Sequence, residues 1–291
     1  WTYKQFGEVT GQLVAGLRSD KIGTGSIVAS RLMNSPEFAF VHVPAQGLRA
    51  VSSPMNFRLA PAETAFILDD AKPAVFLYET ADAENVAKAL ELSSFTPPVI
   101  VAVGEGTPVP GSLAFDDLLE KGAPSFTAPA DGNVWDETSR LYTSGTTGMP
   151  KAVPLTSLNE VLTAHDVIMH MSLVPGDRTA NMSPWFHRGG NYCAGPNTML
   201  YLGGSVVTFP RFDANGMLDL IQKYRPSETG PPPELNKLGT QSWQKTKARV
   251  KKAMADMSAE LLKLYAQRQA ALGTAFSPDT NMTREFEDAF D

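Results

Sequence analysis

The unbroken apolar run Val99-Ile100-Val101-Ala102-Val103 is too short for a buried helix and rich in β-branched side chains. It suits a strand covered on both faces, as in the middle of a parallel sheet. Comparable β-rich runs lie at 26–30, 74–78, 140–143, 152–155, 179–182 and 205–208. Amphipathic stretches suited to helices fall near 36–48, 61–70, 81–91, 113–121, 156–171, 190–201 and 213–224. Alternation of this kind implies right-handed β-α-β crossovers, so the chain up to about residue 228 is expected to be α/β with a largely parallel sheet.

Between the runs at 140–143 and 152–155 stands Tyr142-Thr-Ser-Gly-Thr-Thr-Gly-Met-Pro-Lys151. Gly145 and Gly148 permit turns that bring amide N–H groups against an anion, and Ser144, Thr146 and Thr147 add short hydroxyl donors. Lys151 adds a full positive charge, and Pro150 stiffens the exit. The composition is that of a phosphate-gripping loop, placed where ligands of α/β sheets gather. It is not a Walker-type loop, which ends Gly-Lys-Ser/Thr and opens a helix; here Lys151 follows a proline and leads into Ala152-Val153-Pro154-Leu155.

This loop resembles the signature of the adenylate-forming superfamily, which holds acyl-CoA synthetases, luciferases and the adenylation domains of peptide synthetases. The chain departs from the usual form at Ala152, where glycine is common, and at Pro154; neither change removes a phosphate donor. The resemblance extends through Trp1-Thr2-Tyr3, Leu32-Met33-Asn34-Ser35-Pro36-Glu37 and Asn56-Phe57-Arg58-Leu59 with Glu63. It continues in Pro184-Trp185-Phe186-His187 with Gly189 and Gly190, and in Gly203-Gly204 with Arg211-Phe212-Asp213. It stops after Lys223-Tyr224-Arg225-Pro226. The expected architecture is therefore a truncated AMP-binding domain over 1–228, the N-terminal part of an adenylate-forming enzyme.

The resemblance implies two half-reactions. A carboxylate attacks the α-phosphate of ATP to give an acyl-adenylate and pyrophosphate, and a thiol, usually that of coenzyme A, then displaces AMP. Carried onto this sequence, Thr143, Ser144, Gly145, Thr146, Thr147, Gly148 and Lys151 hold the β- and γ-phosphates, and Lys151 and His187 are the candidate catalytic residues. Trp185, Phe186, His187 and Gly189 are the candidate substrate-binding residues, with Trp185 and Phe186 equally able to fill core. The family also implies Mg2+, but its Thr-Glu carboxylate, its ribose-holding Thr-Gly-Asp and its C-terminal lysine find no match after residue 226. No residue is assigned to a metal. A chain without them is expected to bind ATP weakly and to be inactive alone in forming acyl-CoA.

Pro231-Pro232-Pro233 cannot serve a central strand and reads as part of a linker over 229–241. Ser242 is a good N-cap, and no glycine or proline interrupts 243–272, where Val250, Met254, Met257, Leu261 and Leu264 form one stripe of a helix about 40 Å long. The region 231–291 resembles the connector between the RNA-polymerase-binding module and the DNA translocase of bacterial transcription-repair coupling factor. The residues that carry this are Leu235-Asn236-Lys237-Leu238-Gly239, Trp243, Leu261-Leu262-Lys263-Leu264-Tyr265-Ala266, Ala275-Phe276 and Glu285-Phe286-Glu287. It implies nucleic acid or RNA polymerase as partner only if this tail is functional. A passive chimera of two families is the remaining reading.

Composition excludes several classes. A net charge of −6 over 291 residues provides no overall basic field for nucleic acid. Cys193 is the only cysteine, so no internal disulfide forms, and it is expected to be a small buried residue. No apolar run is long enough to span a membrane and no signal-peptide layout opens the chain, so a cytoplasmic location is expected. The opening at Trp1 reads as a cut into mid-protein. His165 and His170 are five apart and do not share a helix face as metal ligands would; both are expected to be structural. The pairs Asp69-Asp70 and Asp116-Asp117 are expected to be solvated helix ends rather than paired acid/base carboxylates.

Overall fold

A computed structural model describes residues 1–123, 132–143, 149–210 and 214–224. The chain divides into two compact units, Trp1–Arg211 and Phe212–Asp291. In the second unit only the helix Ala214–Tyr224 lies within the described residues. The expected linker over 229–241, the long helix and tail over 242–291, and the Arg211-Phe212-Asp213 motif lie outside them.

The first unit is built on a seven-stranded sheet. Its elements are α1 (Tyr3–Ser19), β1 (Ile27–Arg31), α2 (Pro36–Gly47), β2 (Val51–Pro54), α3 (Pro61–Ala71), β3 (Val75–Glu79), α4 (Ala83–Leu92), β4 (Val99–Val103), β5 (Leu113–Ala114), α5 (Phe115–Glu120), β6 (Glu137–Thr143) and β7 (Lys151–Thr156). The strand order is β5-β4-β3-β1-β2-β6-β7, parallel throughout except for the antiparallel β6–β7 pair. The expectation of an α/β fold with a largely parallel sheet holds.

Period-two alternation decides which face each strand residue covers. Val75 and Leu77 of β3 and Val101 and Val103 of β4 join Leu13, Val14 and Leu17 of α1, Phe38 and Val41 of α2, and Leu118 of α5 in one core. Phe76 and Tyr78 of β3 and Ala102 of β4 join Ile67 and Leu68 of α3, Val86 of α4 and Met55, just after β2, in a second core on the opposite face. Helices α1, α2 and α5 therefore cover one side and α3 and α4 the other.

After β7 come α6 (Ser157–His170), β8 (Arg178–Asn181), α7 (Arg188–Tyr192), α8 (Pro196–Leu202) and β9 (Ser205–Thr208); β8 and β9 pair in parallel as a separate two-stranded sheet. Leu173, Ala194 and Met199 form a small third core here.

Four local departures from the expected elements have physical reasons. Helix α1 has no counterpart in the sequence reading, yet a capping box between Thr2 and Gln5 starts it and Thr10, Leu13, Val14 and Leu17 bury one stripe. Strand β2, Val-Ser-Ser-Pro, has none either, because its serines are polar; both are buried and partnered, Ser52 Oγ by His42 Nδ1 at 2.9 Å and Ser53 Oγ by the Arg140 carbonyl at 3.0 Å. The single helix expected at 190–201 is two: Ala194 adopts φ +57°, and Pro196 at the first turn starts a new helix. The helix expected at 113–121 begins only at Phe115, after the short strand β5.

Candidate active site

The β6–β7 hairpin positions the loop that the sequence marks for phosphate. Thr143 lies directly opposite Lys151 in the ladder, and Tyr142 opposite Ala152. Both Thr143 and Lys151 are exposed, so a hydroxyl and an ammonium stand side by side at the loop's two roots. Ser144, Gly145, Thr146, Thr147 and Gly148 lie outside the described residues.

The root is tethered from below. The Tyr142 hydroxyl donates to Asp70 Oδ2 at 2.6 Å, and burial together with the Asp70 carboxylate raises the pKa of that hydroxyl. Asp70, exposed at the end of α3 as expected, therefore also fastens α3 to β6. Its neighbour Asp69 accepts from Ser93 Oγ at 2.7 Å, Ser94 Oγ at 2.9 Å and the Phe95 amide at 3.0 Å. Those donors, the Ser93 hydroxyl first, hold its carboxyl below the usual range. Asp116 and Asp117 are exposed in the first turn of α5, as expected.

The second part of the site is the segment from Ser183 into α7. His187 is the N-cap of α7, and its Nδ1 accepts the Gly189 amide at 3.1 Å. Because Nδ1 accepts, the neutral ring carries its proton on Nε2, which remains a donor on an exposed side chain. Gly189 and Gly190 have different duties. A Cβ on Gly189 would meet the His187 ring at 3.4 Å, whereas a Cβ on Gly190 would stand 2.0 Å from the Pro184 carbonyl oxygen. Only glycine lets α7 fold back onto the segment that leads into it.

Trp185 and Phe186 separate. Trp185 is 2% exposed, belongs to the first core and packs edge-on against Phe38 with ring centroids 5.7 Å apart. The geometry thus gives Trp185 the core-filling role of its two expected readings. Phe186 is only partly buried, and its ring meets Phe57 at 5.7 Å and 83°. Phe57 also lies under the Arg58 guanidinium at 5.5 Å.

Buried polar side chains brace this segment from a distance. Asn34, in the turn after β1, uses both ends of its amide: Oδ1 accepts the Trp185 amide at 2.8 Å and Nδ2 donates to the Ser183 carbonyl at 2.9 Å. His42 of α2 links Ser52 to Asn191 of α7, with Nε2 to Asn191 Nδ2 at 3.1 Å. Burial lowers the His42 pKa, partly offset by the Glu160 carboxylate. On the far side, the Tyr192 hydroxyl donates to Glu160 Oε1 at 2.5 Å. Burial first, then Glu160, raises that phenol's pKa. The sequence singled out neither His42 nor Glu160; Asn34 and Phe57 lay inside matched motifs, which was the available signal.

The remaining candidates stand apart. His165 Nε2 meets the Tyr201 hydroxyl at 2.7 Å and His170 Nδ1 the Asp166 carbonyl at 2.8 Å, both on exposed α6 positions. Cys193 is exposed, not buried as expected: it stands as the cap at the broken end of α7, one residue before the buried Ala194. A cavity of about 470 Å³ lies beyond the carboxyl ends of β3 and β4, but Glu37, Glu79, Glu105 and Asp116 line it, a setting that repels phosphate. Among the described residues no group of three or more His, Cys, Asp or Glu side chains is placed to hold a metal ion, and no helix is long and apolar enough to cross a membrane.

Comparisons with known proteins bear on the family and the fold. The indoleacetate–CoA ligase of Aromatoleum aromaticum is 30% identical over 227 residues, 77% of this chain and 43% of that protein. The crystal structure of the anthranilate CoA ligase AuaEII in complex with anthranoyl-AMP superposes with a TM-score of 0.73 at 26% identity, covering 78% of this chain and 44% of that one. The chain thus spans less than half the length of these relatives. A different protein, the transcription-repair-coupling factor of Bacillus subtilis, is 49% identical over 73 residues, 25% of this chain and 6% of that protein. The sequence pattern of the family described as AMP-binding enzyme matches residues 1–285, past Pro226 where the motif resemblance ends. On the strength of that match and of the shared fold, the chain belongs to the AMP-binding enzyme family, within the adenylate-forming superfamily.

Proposed function

We propose that residues 1–228 supply the phosphate-gripping part of an acid–thiol ligase that activates a carboxylic acid as its acyl-adenylate and passes the acyl group to coenzyme A. The observation that carries the reading is the pairing of Thr143 with Lys151 at the roots of the 144–148 loop. A triphosphate needs a cation and several hydrogen-bond donors at one place, and those roots present one of each.

In the first half-reaction the carboxylate oxygen bonds to the α-phosphorus of ATP while the bond to the pyrophosphate oxygen breaks. Thr143, Ser144, Gly145, Thr146, Thr147, Gly148 and Lys151 hold the β- and γ-phosphates, and Lys151 offsets charge on the leaving pyrophosphate. In the second, a thiol attacks the acyl carbon and AMP departs. His187, through its Nε2–H, and the backbone at Gly189 border the acyl and thiol pocket, and Phe186 offers an apolar wall. Trp185 supports that wall from the core. An apolar acyl or aryl acid suits such a surface, in keeping with the aromatic acids named for the two ligases above. The described residues offer Mg2+ no suitable carboxylate group, so no step is derived through it.

The chain is further proposed to be incomplete for turnover. Pyrophosphate release, measured with ATP, coenzyme A and a panel of fatty and aryl acids, tests this; robust turnover by the 291-residue chain would overturn the incompleteness. A second reading is favoured by the coupling-factor match: residues 229–241 act as linker and 242–291 as a connector in a DNA-repair protein, or as a passive remnant. Capture of RNA polymerase or duplex DNA by the whole chain supports the connector, and absence of both leaves the remnant.

A further inference from the structure

The hydrogen bonds around His187 form a continuous path. Asn34 fixes the Ser183 carbonyl and the Trp185 amide; the Pro184 carbonyl, between them, accepts the His187 amide at 3.1 Å. The His187 carbonyl then accepts the amides of Gly190 at 3.0 Å and Asn191 at 3.1 Å, and the Asn191 side chain ends on His42 Nε2. Both ends of the path are buried: Asn34, His42 and Asn191 are each at most 2% exposed. Between two fixed ends, the exposed imidazole has its Nδ1 committed to the Gly189 amide and its Nε2–H turned away from the helix.

We propose that Asn34 and His42, about 150 residues upstream in sequence, are positioning residues that hold His187 in one tautomer and one orientation. A buried amide with both ends used resists rotation, because turning it would set two donors and two acceptors against each other. His42 works the same way from the other side. With the Asn191 amide placed to donate, His42 Nε2 accepts and Nδ1–H donates to Ser52 Oγ, so both ring nitrogens of the buried imidazole are partnered. The functional meaning of this orientation rests on the reading of His187 as a residue of the acyl pocket; the geometry does not.

Nitrogen-15 spectra of the full chain, with histidines labelled and the signal of His187 assigned by His187→Gln, read the tautomer directly. The wild type is expected to show His187 protonated at Nε2. Asn34→Ala and His42→Ala are each expected to lower the ratio of the two neutral tautomers about fivefold, the worth of one ordinary hydrogen bond. His42→Gln, which keeps an acceptor for Asn191, is expected to restore most of it. Leu13→Ala, a truncation in the core that Trp185 shares, lowers stability without removing any hydrogen bond of the path and is expected to leave the ratio unchanged. If Asn34→Ala does not fold, Asn34→Asp replaces it, keeping the acceptor for Trp185 and losing the donor to Ser183, with a smaller fall expected. A wild-type His187 protonated at Nδ1, an unchanged ratio in the Asn34 and His42 variants, or an equal change in Leu13→Ala overturns the proposal. Failure of an acyl-adenylate to perturb the wild-type His187 signal would count against the pocket reading alone.

Discussion

Thr143 and Lys151 are cross-strand partners at the loop end of the β6–β7 hairpin. Strand pairing brings their Cα atoms together whatever the loop between them does, so the hydroxyl and the ammonium are placed by the sheet and not by the loop. The Tyr142–Asp70 hydrogen bond, one residue inward, fixes that end of β6 to α3.

Gly190 is expected to be intolerant of any side chain. An added Cβ would stand 2.0 Å from the Pro184 oxygen and 2.5 Å from its carbonyl carbon, both backbone atoms that cannot swing aside. Gly190→Ala should cost about 1–3 kcal/mol, toward the upper end. Gly7→Ala, on the exposed side of α1 with nothing within 4 Å, should gain about 0.5–1 kcal/mol. Thermal melts of the two variants check the opposite signs.

The buried His42 makes stability depend on pH. Its pKa is lowered by folding, so between the folded value and the ordinary imidazole value the unfolded chain binds more protons. Stability from this group is therefore complete above about pH 6.5 and is lost as pH falls toward the folded value, at most about 1.4 kcal/mol per pH unit. Urea midpoints of the wild type and His42→Gln, compared between neutral pH and pH 5, should show the steeper decline in the wild type.

Tyr192 and Glu160 are unequal partners. Glu160 is 5% exposed, its Oε1 is held by the tyrosine hydroxyl, and its Oε2 has no partner among the described residues. Tyr192→Phe leaves a buried carboxylate with neither oxygen satisfied and should cost about 2–3 kcal/mol; Glu160→Gln removes the charge and should cost less. Chemical denaturation of both variants at neutral pH gives the order.

The legible parts of the fold were those where burial on both faces leaves a mark in composition. Strand β4, with Val101, Ala102 and Val103 buried, runs over the same residues as its apolar run. Strand β2 left no such mark because its buried serines are satisfied by partners on other elements, Ser52 by His42 of α2 and Ser53 by the Arg140 carbonyl of β6. Helix α1 was obscured by Gly7, Gly11 and Gly16, which dilute the helix signal; Gly16 is there because a Cβ would stand 2.4 Å from the Leu118 carbonyl of α5. At the site, motif order pointed to His187, and the β6–β7 ladder joins Thr143 to Lys151. What the sequence concealed was the bracing by Asn34, His42 and Glu160, since a buried polar residue is recognisable only once its partner is in place. Cys193 was misread for a related reason: its exposure follows from the break at Ala194, which no local pattern announces.

Calorimetric titration of ATP into the whole chain, with Lys151→Ala as the paired variant, tests the phosphate reading most directly. The account predicts weak, saturable binding by the wild type and at least a tenfold loss in Lys151→Ala, the worth of one charge-assisted hydrogen bond. Absence of saturable binding by the wild type, or equal binding by the variant, would contradict it.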